Sequence, residues 1–202
     1  ISWAYSWPYF ATAALIGYLV GSVPFGLFLT RLAGHGDIRK IGSGNIGTTN
    51  VLRTGNKKAA AATLVLDAGK GAVTVLIAEN YGPDITIVAA ASVLIGHQFP
   101  VWLKFYGGKG VATALGILVA ISFPVGCLAC ATWLFTAMIF RYSSLSALFA
   151  VSAAPLFMWW HADIQKTEFA VAMALLVSIR HSRNVIRLLN GREPKISFTR
   201  IK

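Results

Sequence analysis

The residue types best suited to chemistry lie in one glycine-rich segment, Ile41 to Arg53. Three glycines fall within six residues there, and small polar side chains follow them. Backbone N–H groups of such turns can converge on an anion, and hydroxyl and amide groups add donors. The alternative is a flexible polar turn, and the nucleotide-binding pattern G-x-x-x-x-G-K-[ST] is not matched. The candidate phosphate-binding residues are Gly42, Ser43, Gly44, Asn45, Gly47, Thr48, Thr49, Asn50 and Arg53.

A second glycine cluster contains a lysine and lies further along the chain. Gly107, Gly108 and Lys109 follow His97 and Pro100 closely. The proline is expected to interrupt an apolar helix, and irregular backbone at membrane depth is tolerated only when it is buried in protein or lines a wet cavity. A histidine taken alone would more often be an ordinary interfacial residue. Together, the two glycine-rich segments with their cations predict a site at one membrane face.

A polar stripe runs through an otherwise apolar stretch. Thr63, Asp67, Lys70 and Thr74 are spaced four, three and four residues apart, which places them on one helical face. Charges within a span are costly and usually face a bundle interior or a cavity. The stripe therefore marks either the site or its scaffold, and a purely structural ion pair between Asp67 and Lys70 is the alternative.

The last apolar stretch ends in a cluster of polar and basic residues. His181 and Asn184 lie three residues apart, so they share a helical face, and neither is needed to fix orientation in a membrane. The arginines beside them have an ordinary role at anionic headgroups. Glu193 follows in a turn-like sequence and is a further candidate. The neighbouring arginines are Arg180, Arg183 and Arg187.

Composition indicates which kind of protein must position these residues. Of 202 residues, 56% are hydrophobic and 12% are charged, whereas soluble domains carry about 25% charged residues. Mean hydropathy is positive. A helical span needs about 20 mostly apolar residues, and such stretches fill most of the chain. We therefore expect one all-α transmembrane domain over residues 1–202, bound to membrane lipids rather than to nucleic acid despite a net charge of +11.

The hydropathy pattern predicts seven spans. The doubtful point is residues 122–126, which could be a turn between two short helices or a kink in one long helix. Within the first span, Gly17 and Gly21 form a small-residue pair typical of helix packing. The predicted spans are Phe10 to Leu32, Ala59 to Glu79, Ile85 to Leu103, Val111 to Ile121, Val125 to Phe140, Leu145 to Trp160 and Phe169 to Leu189.

Loop charge favours two helices at the doubtful point. Cytoplasmic loops near helix ends concentrate Lys and Arg. With seven spans, the N-terminus lies outside, and the basic loop of residues 39–58, Arg141 and the basic tail all lie inside. With six spans, the tail falls on the face opposite that loop. The glycine-rich segments are thus expected at the cytoplasmic face.

Several function classes lack their motifs. The chain has no G-x-S-x-G sequence, and none of its four histidines is followed at the fifth position by Asp, the H-x-x-x-x-D spacing of a common acyltransferase class. A transporter of organic phosphates is the rival interpretation, but the sequence shows no paired inverted halves. The features instead favour an enzyme that takes a phosphorylated substrate from water and a lipid-soluble one from the membrane.

The motifs resemble those of bacterial acyl-phosphate:glycerol-3-phosphate acyltransferases of the PlsY type. The resemblance covers nearly the whole chain, and several long motifs occur in the right order. The matching motifs are Gly21-Ser-Val-Pro-Phe-Gly26, Gly42-Ser-Gly-Asn-Ile-Gly-Thr-Thr-Asn50 with Arg53, Asp67 with Lys70-Gly71, Gly96-His-Gln-Phe-Pro-Val-Trp102 with Gly107-Gly-Lys-Gly-Val-Ala-Thr113, and His181 with Asn184.

The resemblance implies seven spans in the bacterial inner membrane and transfer of a fatty acyl group from acyl phosphate to the 1-hydroxyl of glycerol 3-phosphate. It implies neither acyl-CoA nor a metal or other cofactor, and the oligomeric state is not indicated. The proton could pass to a histidine or to the leaving phosphate. The resemblance assigns catalysis to Ser43, Arg53, Lys109 and His181, and substrate binding to the remaining loop residues, Asp67, Lys70, Gly71, His97, Gly107, Gly108, Asn184 and Glu193.

Overall fold

The computed structural model describes residues 3–196, and its secondary structure over that range is entirely helical. This confirms the predicted all-α class. The longer helices are α1 (Trp3–Gly21), α4 (Lys57–Ala78), α5 (Pro83–Gln98), α7 (Phe123–Phe140), α8 (Ser143–His161) and α9 (Ile164–Arg180). The shorter ones are α2 (Phe25–Leu32), α3 (Thr48–Leu52), α6 (Val111–Ile121) and α10 (Ser182–Leu189).

Five helical stretches in the described range are long and apolar enough to cross a membrane. A sixth results if α9 and α10 count as one bent span. Helix α6 is apolar but has only 11 residues, fewer than the roughly 20 that a full crossing requires. The seven-span count and the N-out orientation stay predictions. The basic residues Arg200 and Lys202, which supported that orientation, lie outside the described residues.

Prolines explain two of the helix ends. The first predicted span is interrupted before Phe25, where Pro24 lacks the N–H that a continuous helix would need. Helix α5 ends at Gln98, two residues before Pro100, as the proline predicted. At the doubtful point, Ser122 is extended and separates α6 from α7, whose first turn contains Pro124.

The last predicted span, Phe169 to Leu189, is bent rather than one straight helix. The chain breaks at His181, and α10 leaves the axis of α9 at 62°. Hydropathy does not register this bend because α10 still carries apolar residues. The bend matters because it presents His181 and Asn184 to the interior of the bundle, where both side chains are buried.

Small residues let the helices around the site approach closely. A side chain on Gly21 would meet the backbone of Val93, so α1 packs directly on α5. Likewise, Gly116 of α6 lies against the backbone of Ala68 in α4. Without a water-driven hydrophobic effect between helices in lipid, such close backbone packing is a main source of association. Gly17 and Gly21 therefore have the packing role that their spacing predicted.

Candidate active site

Asn50 organises the glycine-rich loop from its centre. Its Nδ2 donates to the carbonyl oxygens of Ile38, Ile41 and Asn45 at 3.0, 2.9 and 2.8 Å. Its Oδ1 accepts from the backbone N–H of Ser43 at 3.1 Å. Since its polar atoms are occupied within the loop, Asn50 serves as an internal tie that holds the neighbouring residues in place.

The same side chain fixes an arginine. Arg53 donates from Nη1 to Asn50 Oδ1 at 3.3 Å and is 8% exposed. Gly42 has a φ of 55°, and a side chain there would meet Asn50 and Arg53. Only glycine therefore fits this turn. The loop presents a fixed, buried guanidinium to the interior.

The loop opens onto a cavity of about 560 Å³ with two unlike walls. One wall contains the loop, Lys109 and the residues around His181. The other is formed by three helices and is apolar. Its lining residues are Leu64, Ala68, Gly69 and Ala72 of α4, Leu115, Gly116 and Val119 of α6, and Cys130, Trp133 and Leu134 of α7.

A hydrogen-bonded chain crosses the polar wall. Lys109 donates from Nζ to Asn184 Oδ1 at 2.6 Å, and Asn184 Nδ2 donates to Glu193 Oε1 at 2.6 Å. Arg187 Nε pairs with Glu193 Oε2 at 2.7 Å, and Ser144 Oγ donates to Glu193 Oε1 at 2.7 Å. Glu193 thus ties the segment after α10 to α8 and to α10 itself.

Burial and hydrogen bonding shift the pKa values of the charged residues in this wall. It lowers the pKa of Lys109 to about 8, against the opposing effect of Glu193. Burial also lowers the pKa of Arg53, although a guanidinium remains charged at neutral pH. For Glu193, burial alone would raise the pKa, but hydrogen bonds from Ser144, Arg187 and Asn184 hold it below its usual value. The wall therefore carries a net positive charge at neutral pH.

His181 has a defined tautomer. Its Nδ1 lies 2.8 Å from the carbonyl oxygen of Val177, which can only accept, so Nδ1 must carry the hydrogen. In the neutral ring, Nε2 then bears the lone pair. The imidazole lines the cavity, so this nitrogen is available to accept a proton or a hydrogen bond there.

The polar stripe of α4 meets α5 at the base of the site. Asp67 Oδ1 lies 2.9 Å from Lys70 Nζ and 3.6 Å from His97 Nδ1. Lys70 also donates to the carbonyl oxygen of Val23 at 2.9 Å, at the break between α1 and α2. Asp67 and His97 line the cavity, whereas Lys70 is directed toward Val23 and the Phe25 ring.

Comparison with known proteins identifies the family. A family model described as glycerol-3-phosphate acyltransferase matches residues 11–191. The chain belongs to this family.

Curated relatives and solved structures agree with this assignment. A glycerol-3-phosphate acyltransferase of Paramagnetospirillum magneticum is 56% identical over 185 residues, covering 91% of this chain and 92% of the relative. One from Cereibacter sphaeroides is 53% identical, covering 90% and 87%. The predicted resemblance to PlsY-type acyltransferases is thus confirmed, and the chain is an integral membrane acyltransferase of lipid metabolism.

Two crystal structures of PlsY superpose closely on this chain. The glycerol 3-phosphate form of that integral membrane acyltransferase gives a TM-score of 0.88 at 35% identity, covering 93% of this chain and 96% of PlsY. The lysophosphatidic acid form gives 0.86 at 34% identity, covering 94% and 96%. The fold described above is therefore the family's fold.

Within the described residues, most of the predicted site residues line one cavity. Six others, predicted to bind substrate, are not among its lining residues: Gly42, Gly44, Lys70, Gly71, Gly107 and Gly108. Gly71 instead packs on the backbone of Thr113. The predicted residues in the wall are Ser43, Asn45, Gly47, Thr48, Thr49, Asn50, Arg53, Asp67, His97, Lys109, His181, Asn184 and Glu193.

Sequence reasoning missed three groups in the polar wall and the whole apolar wall. Ser143 and Ser144 open α8, and Arg187 was assigned to lipid headgroups although it pairs with Glu193. A signal existed for the serines, since two hydroxyl residues beginning a helix beside Arg141 offer donors at the predicted inner face. The apolar wall gave no signal, because its residues resemble those of any span.

Proposed function

We propose that the chain transfers a fatty acyl group from acyl phosphate to the 1-hydroxyl of glycerol 3-phosphate, giving lysophosphatidate and inorganic phosphate. The main support is that one cavity joins a cationic, donor-rich wall to an apolar wall within the helix bundle. Such a cavity suits a substrate with a phosphate at one end and a hydrocarbon chain at the other. In the two PlsY structures the same fold occurs in forms named for glycerol 3-phosphate and lysophosphatidic acid.

The polar wall can stabilise the charges of this reaction. Both substrates bring phosphate groups, and Arg53, Lys109 and Arg187 provide cations in the cavity wall. Ser43 and the hydroxyls of Thr48 and Thr49 add donors. Acyl phosphate carries a good leaving group, so positioning and charge stabilisation can account for most of the rate without an enzyme nucleophile.

The reaction balances in one displacement. The glycerol hydroxyl oxygen attacks the acyl carbonyl carbon, the bond from that carbon to the phosphate oxygen breaks, and phosphate leaves with its electron pair. The hydroxyl proton passes either to the leaving phosphate or to Nε2 of His181. The variant His181→Ala separates the two routes. A large fall in kcat supports a histidine base, and a mainly raised KM for glycerol 3-phosphate rejects it.

The apolar wall supports a lipid-soluble donor. Its residues come from α4, α6 and α7, and Gly69 leaves open space beside the helix. Each methylene removed from water contributes about 0.8 kcal/mol, so a long chain would hold the donor firmly. We assign this wall to the acyl chain.

We further propose that the whole chain forms one seven-span domain in the bacterial inner membrane with the site at the cytoplasmic face. The clustering of the cations at the polar wall supports this orientation, since cytoplasmic segments concentrate Lys and Arg. A reporter fused after Arg141 should be active only inside the cell. Reporter activity outside would reject the proposed topology but not the reaction.

The deciding experiment measures phosphate release from palmitoyl phosphate by the purified full chain, with and without glycerol 3-phosphate. We expect release that depends on glycerol 3-phosphate and yields lysophosphatidate, none with palmitoyl-CoA, and an inactive Arg53→Ala variant. Turnover with palmitoyl-CoA would overturn the donor assignment. If well-folded protein shows no turnover with either donor, the proposal fails, and uptake of glycerol phosphate into vesicles would then test the transporter interpretation.

A further inference from the structure

The segment Gly107–Lys109 brings the half-buried lysine to the cavity, and its backbone contacts α5. Gly107 N donates to the carbonyl oxygen of Gln98 at 3.2 Å, and Gly108 N donates to that of His97 at 3.0 Å. These bonds fix the first two residues of the segment against the end of α5. They leave the position of Lys109 itself to be set by other contacts.

The side chain of Gln98 contacts the backbone of Lys109. Its side-chain Nε2 donates to the carbonyl oxygen of Lys109 at 2.9 Å, and the residue is fully buried. A side chain on Gly110 would collide with this amide, so the chain passes directly over it. The amide thus holds the backbone of the lysine whose ammonium enters the site.

Arg180 holds the two glycines through their carbonyl oxygens. Its Nη2 donates to the carbonyl oxygens of Gly107 and Gly108 at 3.3 and 3.2 Å. The guanidinium carbon lies over the Phe99 ring, 5.0 Å from its centre, in a cation–π contact. This arginine immediately precedes His181, so the contact also joins the segment to the end of α9.

We propose that Gln98 and Arg180 are positioning residues that hold Lys109 where its ammonium meets Asn184 and the substrate phosphate. This inference rests on the role of Lys109 in the proposed function. Within the described chain, neither Gln98 nor Arg180 is among the residues that line the cavity, so each acts through the segment. A displacement of about 1 Å in a catalytic group can cost on the order of 100-fold in rate.

Two variants remove one contact each and conserve the rest. Gln98→Met keeps the length and approximate volume of the side chain but loses the amide. Arg180→Lys keeps the charge but loses the planar, two-carbonyl contact. We expect each to lower kcat/KM by roughly 10- to 100-fold. Arg183→Ala, which removes an exposed arginine on the next turn, is the matched control and should retain normal activity.

A second readout separates positioning from a general loss of structure. The charged and titratable groups that act on Lys109 or contact its segment are Arg53, His97, Arg180, His181, Arg187 and Glu193. Both variants leave the net charge of this set unchanged. If the segment is released, the Lys109 amine gains access to water, and its titration should move from about pH 8 toward that of an ordinary lysine.

Amine-selective labelling of Lys109 across pH, followed by peptide mass spectrometry, measures this titration without turnover. A higher titration midpoint in Gln98→Met or Arg180→Lys, with wild-type thermal stability, supports the inference. Full activity in both variants overturns it. So does lost activity with an unchanged Lys109 midpoint, since the lysine would then not have moved. If the wild-type chain fails to turn over palmitoyl phosphate, the proposed function fails, while the labelling still tests whether these residues hold Lys109.

Discussion

The two glycine-rich segments reach the same cavity but are held in different ways. The loop of residues 41–53 is closed on itself by Asn50, whose bonds all run to residues within twelve positions along the chain. The segment Gly107–Lys109 takes its bonds from α5 and from Arg180, more than 70 positions away. The structure of the first segment therefore depends on local contacts, whereas that of the second depends on contacts with distant helices of the bundle.

This difference predicts that one substitution can destroy the first loop. Asn50→Ala removes a buried side-chain amide and, with it, the bonds that hold the Asn45 carbonyl, the Ser43 N–H and Arg53 Nη1 in place. Because the loop would then no longer hold Ser43 and Arg53 in position at the cavity, kcat/KM should fall by about 100-fold or more. Steady-state phosphate release measures the effect.

The matched control is Asn80→Ala. Asn80 donates to two carbonyl oxygens of α4 but lies exposed beyond the end of that helix. It should keep wild-type activity. If Asn50→Ala also stays within a few fold of wild type, the loop does not depend on its central amide, and the proposed contrast between the two segments is wrong.

The same contrast explains how far the sequence could predict the site. The loop of residues 41–53 was recognisable because Gly42, Asn50 and Arg53 lie close together along the chain and contact one another. The residues that hold Lys109 could not be recognised from the sequence, because Gln98 and Arg180 look like ordinary residues at the ends of apolar helices. Arg180 was assigned to lipid headgroups because sequence spacing cannot show that it reaches two glycine carbonyls.

Prediction of the fold follows a similar rule. Hydropathy identified the apolar helices because a bilayer imposes one composition on every span. It missed the break at His181, because that break depends on where polar groups meet inside the bundle. The catalytic and binding roles assigned to the site residues stay predictions that the following experiments address.

Glu193 stabilises the polar wall in a third way, because it belongs to the segment that follows the last helix. Glu193→Gln removes the charge that pairs with Arg187 and opposes the loss of charge on Lys109. We expect kcat/KM to fall by about tenfold, in the range of one lost charge-assisted hydrogen bond. Glu168→Gln, an exposed acid near the start of α9, is the control. Equal activity in both variants would show that the tie is dispensable.

The charge of Lys109 predicts a pH dependence that the first loop cannot produce. Because burial lowers its pKa to about 8, the ammonium is present below pH 8 and is lost as the pH rises through that value. The ratio kcat/KM reports the free enzyme, so it should fall above about pH 8 and reach about a tenth of its maximum one unit higher.

Lys109→Arg tests this assignment directly. An arginine stays protonated throughout, so whatever activity the variant retains should lose the alkaline decline. If the decline persists unchanged in the variant, another group is responsible for it. The titrating group would then have to be sought elsewhere in the polar wall.

The smallest expected effect concerns the apolar wall, where shape rather than hydrogen bonding determines which acyl chains fit. Gly69 lines the cavity, and a side chain at this position would enter open space. Gly69→Leu should therefore shorten the room for an acyl chain while favouring the helix itself, since leucine is the better helix former. We expect kcat/KM for palmitoyl phosphate to fall by about 5- to 10-fold relative to octanoyl phosphate.

Val65→Leu provides the control for this last experiment. Val65 lies on the same helix but is 67% exposed and is not among the cavity-lining residues of the described chain. Its variant should leave the ratio between the two donors unchanged. If Gly69→Leu lowers kcat/KM equally for both donors, the acyl chain does not pass this point. The acyl chain would then have to lie closer to α7. A selective loss of the longer donor would instead show that packing at α4 limits chain length.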